Sequence, residues 1–280
     1  AYSPETILPG NSVTELRHND RIVGGIDDRS TRSAVDLYER FSRGVIHTTT
    51  ATTAEFVKLA QNASRDVDIA FANELAMLAR EYDISSREAI AKANTHPRVD
   101  ILDPGPGVGG HCLPVDPWFL IHGAEAANLL TRARRVNDGM ADFVKELLRA
   151  ELGSLAGTTI AILGVAYKAN VSDTRESPGL RLGVALREAS DPAASGSEKA
   201  LPDVRYNDPV VESSEKVPMQ PLPDAVRDAD AAVLVTGHDA YANLDPSTLG
   251  PLMARRVVVD TRDVLDAQRW REAGFRVLRL

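Results

Sequence analysis

The residues best suited to covalent chemistry lie in one glycine- and proline-rich segment, Gly105-Pro106-Gly107-Val108-Gly109-Gly110-His111-Cys112-Leu113-Pro114-Val115-Asp116-Pro117. It carries the only cysteine of the chain. Cysteine is a strong nucleophile that attacks carbonyls to form covalent intermediates. A single cysteine can equally be a small buried hydrophobe. Its place in a glycine loop, shortly before Asp116, favours the chemical reading. His111 either tunes the thiol or serves as a loop hydrogen-bonder, since a sequence neighbour often points the other way. Gly105, Gly107 and Gly110 spell G-x-G-x-x-G. A dinucleotide fingerprint needs a strand before it and a helix after it, whereas here Asp103-Pro104 precedes and Cys112-Leu113-Pro114 follows. The glycines are better read as removing side chains where the backbone passes close to a ligand.

Further polar groups sit at telling positions. Lys58, Asn62 and Asp66 recur at helical spacing and share one face. They form either a solvated stripe or, for the Lys and Asn, donors aimed at negative charge developing on an oxygen; spacing alone does not choose. Lys168, Asp173, Arg175 and Glu176 follow an apolar run ending at Gly164, and Arg262 follows another run in Asp260-Thr261-Arg262. Ligands of doubly wound sheets bind beyond the carboxyl ends of strands, where cations suit phosphates. Ordinary surface charge is the competing reading.

The elements that must position these groups follow from periodicity. Residues 1–51 read as β-α-β: a strand at 21–25, a helix over 29–41 with Ala34, Val35, Leu37, Tyr38 and Phe41 at helical spacing, and a strand at 45–48. This is the tail of an α/β domain. Residues 52–153 are mostly helical. Thr52 and Glu55 make a capping box, and an apolar pattern from Phe56 to Leu78 carries the helix to about Tyr82. A helix about 45 Å long forms the spine of a domain or an interface. Ser85 and Glu88 cap a second helix, the glycine loop spans 103–116, and a third helix covers 131–152. Residues 154–280 alternate strands (158–164, 204–206, 231–236, 256–260, 275–280) with helices, the first near 178–188, and place a surface loop at 190–200. That alternation predicts a Rossmann-like, doubly wound parallel sheet. The fold class is therefore α/β, a helical central domain followed by the parallel-sheet domain, with a β-α-β remnant of an N-terminal Rossmann domain.

Composition narrows the function. A chain of 280 residues is long for one core. A net charge of −8 argues against nucleic acid and anionic membranes as main partners. No apolar run approaches the roughly 20 residues that span a bilayer, and no signal peptide opens the chain. One cysteine cannot form an internal disulfide, which fits a reducing cytoplasm. Ala1 opens the chain without an initiating Met, as in a processed or truncated protein.

Taken in order, these segments resemble the UDP-glucose/GDP-mannose dehydrogenase family over essentially the whole chain. Ser3-Pro4-Glu5 with Leu8-Pro9-Gly10, then Ala54-Glu55-Phe56-Val57-Lys58-Leu59 with Asn62, match its early and central-helix motifs. The run from Gly107 to Pro117 matches its nucleophile loop, and Gly164-Val165-Ala166-Tyr167-Lys168 with Asp173-Thr174-Arg175-Glu176-Ser177-Pro178 its C-terminal signature. The resemblance implies oxidation of the C6 alcohol of a nucleotide sugar to a carboxylate by NAD+, without a metal. It makes Cys112 the nucleophile that passes through a thiohemiacetal and a thioester. Lys58 and Asn62 would stabilise the oxyanion, and Asp116 and Glu5 would position water and move protons. Arg98, Gly109, Lys168 and Arg262 would bind the substrate, Lys168 and Arg262 holding its diphosphate and Arg98 reaching a neighbouring subunit's ligand. Arg175 would reach the cofactor side. His111 before Cys112 resembles the N-acetylhexosamine branch, with UDP-N-acetylmannosamine the leading substrate and UDP-glucose the alternative.

The resemblance further implies a homodimer through the central helix, and a division into 1–51, the end of the NAD-binding domain; 52–153, a central helical domain; and 154–280, a UDP-binding Rossmann-like domain. The family's glycine fingerprint is absent from this chain, so the expectation is that it binds NAD poorly and does not turn over alone. An inactive nucleotide-sugar-binding or dimerisation module, and a thiol-dependent transferase using Cys112 without NAD, are the rival functions.

Overall fold

The computed structural model describes residues 1–7, 12–188 and 201–280. The expectations for Leu8-Pro9-Gly10 and for a loop at 190–200 lie outside the described residues. In chain order the elements are α1 (Ser12–His18), β1 (Arg21–Gly25), α2 (Asp28–Tyr38), β2 (Ile46–Thr50), α3 (Ala51–Glu81), α4 (Ser86–Ala93), α5 (Asp116–Ile121) and α6 (Asn128–Leu152). Then follow β3 (Thr159–Leu163), α7 (Pro178–Arg187), β4 (Asp203–Asn207), α8 (Leu222–Val226), β5 (Ala231–Leu234), α9 (Asp239–Ala242), α10 (Pro246–Leu249), β6 (Val257–Asp260), α11 (Ala267–Glu272) and β7 (Arg276–Arg279). The fold is α/β, as expected. The chain divides into two compact units, Ala1–Arg65 with Asp116–Ala127, and Asp66–Val115 with Asn128–Leu280.

In the first unit β1 and β2 pair in parallel, Arg21 opposite Ile46 through to Gly25 opposite Thr50. Tyr2 adds an antiparallel bridge to Gly24. The β-α-β reading of residues 1–51 holds, with α1 as an unforeseen addition. Helix α2 stops at Tyr38 rather than 41. The reason is aromatic: the Tyr38 and Phe41 rings lie 5.6 Å apart, and the buried Arg21 guanidinium sits 4.8 Å and 5.8 Å from their centroids. A regular turn would carry Phe41 away from that cation. The start of α3 also corrects the capping expectation. The helix begins at Ala51, and Thr50 Oγ1 accepts the N–H of Thr53 at 3.2 Å. Thr50 therefore caps it, and Thr52 with Glu55 does not.

In the second unit the five strands are all parallel, in the order β4-β3-β5-β6-β7. Strands β5 and β6 are buried at every position, as strands covered on both faces must be. Alternate residues of β3 serve the two faces. Ile160 and Ile162 join Val144 and Leu148 of α6 and Leu182 and Leu186 of α7. Ala161 and Leu163 join Tyr241, Leu249 and Trp270 on the other side. Helix α4 has the expected Ser85 cap, whose side chain accepts from Glu88 N. Helix α6 starts earlier than 131, at Asn128, and the loop expected to run through Asp116 gives way there to α5. Among the described residues no helix is long and apolar enough to cross a membrane.

Candidate active site

The second unit holds the cysteine loop. Cys112 is half-buried and its carbonyl accepts from Val115 N at 3.0 Å, closing a tight turn. Gly107 and Gly110 have φ of +117° and +93°, values that a side chain makes costly. The loop rests on the segment that follows β3: Gly110 N donates to Arg175 O at 2.9 Å. A Cβ on Gly109 would lie 2.8 Å from Glu176 O, 2.8 Å from Tyr167 Cβ and 2.9 Å from Pro178 Cδ. A Cβ on Gly105 would lie 2.5 Å from the Arg262 guanidinium. At Gly105 and Gly109 the close approach is to the chain's own residues, so these glycines also seat the loop. This packing joins two sequence motifs, 105–112 and 164–178, that are far apart along the chain.

The electrostatics near the thiol are mixed. Arg175 interacts through space with Cys112. Its guanidinium is clamped by Asp173, Nε lying 3.0 Å and 2.9 Å from the two carboxylate oxygens. Those hydrogen bonds hold the Asp173 carboxyl below its ordinary range and raise Arg175 above its own. Arg175 is thus an oriented cation with its own counter-ion, not a free charge.

Beyond the carboxyl ends of β3, β4 and β5 lies a buried pair that the sequence reading missed. Asp208 Oδ2 accepts from Val165 N at 2.8 Å and Ala166 N at 2.9 Å, and His238 Nε2 lies 3.1 Å from it. His238 Nδ1 accepts the N–H of Asn170 at 2.9 Å, which assigns the proton to Nε2. Burial pushes the Asp208 carboxyl up, but the hydrogen bonds from His238, Ala166, Val210 and Val165 prevail and bring it down to about 2. This pair fixes the turn from Val165 to Asn170 and so the base from which the exposed Lys168 projects. The available signal was positional, since Asp208 and His238 each follow a strand end. Arg262, also at a strand end, is half-buried, and its Nε donates to Val235 O at 3.0 Å. Burial, with a smaller contribution from Arg87, lowers it to about 10, so it stays cationic at neutral pH. Arg98 is exposed beyond α4, its N–H donating to His96 Nδ1 at 3.3 Å.

The first unit holds the other candidates. Lys58 Nζ donates to the carbonyl of Glu5 at 2.7 Å. Asn62 Nδ2 donates to Asp116 Oδ2 at the start of α5. The Glu5 carboxylate accepts Ile7 N at 2.6 Å. Glu5, Lys58, Asn62 and Asp116 are therefore brought together as two contacting pairs. Asp66 does not continue their stripe. It is buried in the second unit, paired at 2.5 Å with the fully buried Arg134.

Residues 52–139 match the central domain, and residues 161–267 the UDP binding domain, of the UDP-glucose/GDP-mannose dehydrogenase family. A UDP-N-acetyl-D-mannosamine dehydrogenase of Methanocaldococcus jannaschii is 41% identical over 99% of this chain and 62% of its own length. An NDP-N-acetyl-D-galactosaminuronic acid dehydrogenase of Ralstonia solanacearum is 41% identical over 96% of this chain and 62% of its own length. The solved structure of the UDP-D-ManNAc dehydrogenase of Pyrococcus horikoshii superposes with a TM-score of 0.84 at 37% identity, covering 99% of this chain and 63% of that one. This chain thus spans about 62% of the length of these curated relatives.

Proposed function

Because the chain belongs to the UDP-glucose/GDP-mannose dehydrogenase family, we propose that it is the substrate-handling part of an NAD-dependent dehydrogenase. That enzyme oxidises C6 of a UDP-N-acetylhexosamine, with UDP-N-acetylmannosamine as first choice. The observation that carries this reading is the seating of the Cys112 loop on the 164–178 segment through Gly109 and Gly110. A nucleophile on a glycine loop has to be held still to attack, and this seat holds it. The N-acetylhexosamine class follows His111-Cys112 and the names of the relatives, one manno and one galacto. UDP-glucose is the competitor to assay.

In this reading the Cys112 thiolate adds to the C6 aldehyde, forming an S–C bond as the carbonyl oxygen becomes an oxyanion. Lys58 and Asn62 stabilise that oxyanion by charge and hydrogen bonding. After oxidation to the thioester, water held by Asp116 and Glu5 attacks, the S–C bond breaks and the thiol is regenerated. Lys168 and Arg262 bind the diphosphate, which accounts for phosphate recognition by a chain of net charge −8, and Gly109 lets the loop's backbone sit against Tyr167 and Glu176 within the substrate site. Arg98 serves a neighbouring subunit's ligand, and Arg175 lies on the cofactor side.

The two oxidations need a hydride acceptor, which the family reading assigns to NAD+. The turn between β1 and α2 does not fit that group. At the β1–α2 turn a Cβ on Gly25 would lie 2.4 Å from Thr31 N, and the negatively charged Asp27 already caps α2 by accepting Ser30 N. The Asp27 carboxylate at this helix N-terminus would repel a pyrophosphate, so no step is assigned to this turn. The functional division into 1–51, 52–153 and 154–280 belongs to the same proposal. So does a homodimer through α3, supported by an apolar groove of about 350 Å³ between α3 and α4 with Phe71, Leu78 and Tyr82 exposed. A cytoplasmic location fits the free Cys112.

The test is a Cys112→Ser variant in the whole, NAD-competent protein, assayed with UDP-N-acetylmannosamine, UDP-glucose and NAD+, alongside UDP binding by calorimetry. Loss of turnover with UDP binding retained supports the proposal. Turnover that persists, or loss of both together, overturns the nucleophile assignment, and turnover without NAD+ points to a transferase. NAD-dependent turnover by a preparation whose intact mass is that of this chain overturns the expectation that it is inactive alone.

A further inference from the structure

The second unit buries a set of polar side chains that the reaction above does not use. Asp66 and Asn73 on α3, and Arg134 and Asn137 on α6, are each almost wholly enclosed. They form one continuous chain of hydrogen bonds. Asn73 Oδ1 accepts Gly105 N at 2.8 Å, and Asn73 Nδ2 donates to Asn137 Oδ1 at 2.9 Å. Asn137 Nδ2 donates to the carbonyl and the carboxylate of Asp66 at 2.9 Å and 2.8 Å. Arg134 bridges Asp66 and Asp138. Asp138 also accepts from Arg181 at 2.6 Å, and Arg181 reaches Glu176 at 2.5 Å.

The path starts and ends at the same loop. Gly105, at its beginning, is tied to Asn73. Gly107, in its middle, faces the Asn137 carbonyl, 3.1 Å from where its Cβ would be. Gly109, near its end, packs against Glu176, and Gly110 is bonded to Arg175. Burying charge to brace two helices is a poor way to gain stability, because well-packed apolar residues do as well or better. Every group that links this chain finds a partner, Arg134 Nε alone among its buried side-chain atoms being left without one, and a connected buried polar network of this kind specifies one geometry. We infer that the chain Asn73–Asn137–Asp66–Arg134–Asp138–Arg181–Glu176 is a positioning frame that sets the Cys112 loop, with Asp66 and Arg134 as positioning residues at its centre. Its role in turnover rests on Cys112 being the nucleophile; its role in holding the loop does not.

The experiment uses Asp66→Asn and the half-exposed Arg181→Gln in the whole protein, the second being the safer variant for folding. Hydrogen exchange is followed at the amides of Gly105 and Gly110 and at those of β3, β5 and β6. The expected result is exchange faster by roughly tenfold in the loop, as when a hydrogen bond to a charged group is lost, with the sheet unchanged. Steady-state kinetics should show kcat reduced about tenfold with KM nearly constant, the signature of a misplaced reacting group. An unchanged loop, or loop and sheet accelerating together, overturns the inference and leaves an ordinary structural brace. If Cys112→Ser remains active, the nucleophile reading fails, while the exchange result still decides whether the frame holds the loop.

Discussion

Two faces of α3 and the residue that follows it, within the second unit, behave in the fold opposite to what their side chains suggest. One presents Asp66 and Asn73, polar and buried to within 1% of full enclosure. The other presents Phe71, Leu78 and Tyr82, apolar and 52%, 40% and 75% exposed. Hydrophobicity alone would assign them the other way round. The polar face is inside because each of its groups finds a partner on α6 or the cysteine loop, which offsets the cost of leaving water. The apolar face lies along a groove, and an exposed apolar patch of this kind marks a surface that the proposed dimer would cover.

This contrast can be broken in order of effect. Arg134→Met should be the most damaging, since it leaves Asp66 buried with no cation; a loss of about 3–5 kcal/mol is expected in urea unfolding. A loss below about 1 kcal/mol would show that the buried pair is not needed for stability. Gly109→Ala should come next, costing about 1–3 kcal/mol through overpacking against Tyr167, Glu176 and Pro178, read as a lower melting temperature together with slower turnover.

Acid probes the second buried anchor. Asp208 titrates at about 2 in the folded chain against an ordinary 3.8. Its folded value is depressed, so its contribution is complete above pH 4 or so and fades as pH falls toward about 2. That contribution is about 2 kcal/mol, and Asp208→Asn should flatten the stability curve in that window. The apolar face should matter least to folding. Phe71→Ser with Tyr82→Ser should shift unfolding of the separated chain by no more than about 0.5 kcal/mol, yet weaken self-association in sedimentation. Unchanged association would remove the groove from the dimer proposal.

Much of the fold was legible because its signals are local. The apolar runs at Ile160–Leu163 and Val257–Val259, each followed by a turn residue or a polar cluster, marked strands of a parallel sheet, and Ser85 marked the start of α4. Where reading slipped, a contact between residues distant in sequence or a competing neighbour had intervened. Phe41 left the helical register to reach Arg21, and Thr50, next to the expected Thr52, captured the cap of α3. Lys58, Asn62 and Asp66 were correctly placed on one helix, but periodicity could not foresee that Asn62 meets Asp116 while Asp66 meets Arg134. Asp208 and His238 escaped notice because neither has a motif; only the parallel pairing of β3 with β4 and β5 makes them neighbours.

By itself, the order of residues determined the family, the α/β class and the thiol at the end of a glycine loop. Those depend on side-chain type and short-range spacing, which a linear chain displays directly. Only the tertiary structure decided what the glycines pack against. That Arg262 lies beside Gly105, and Tyr167 and Glu176 beside Gly109, depends on which distant segments pack there, and packing is set by the whole core rather than by the loop.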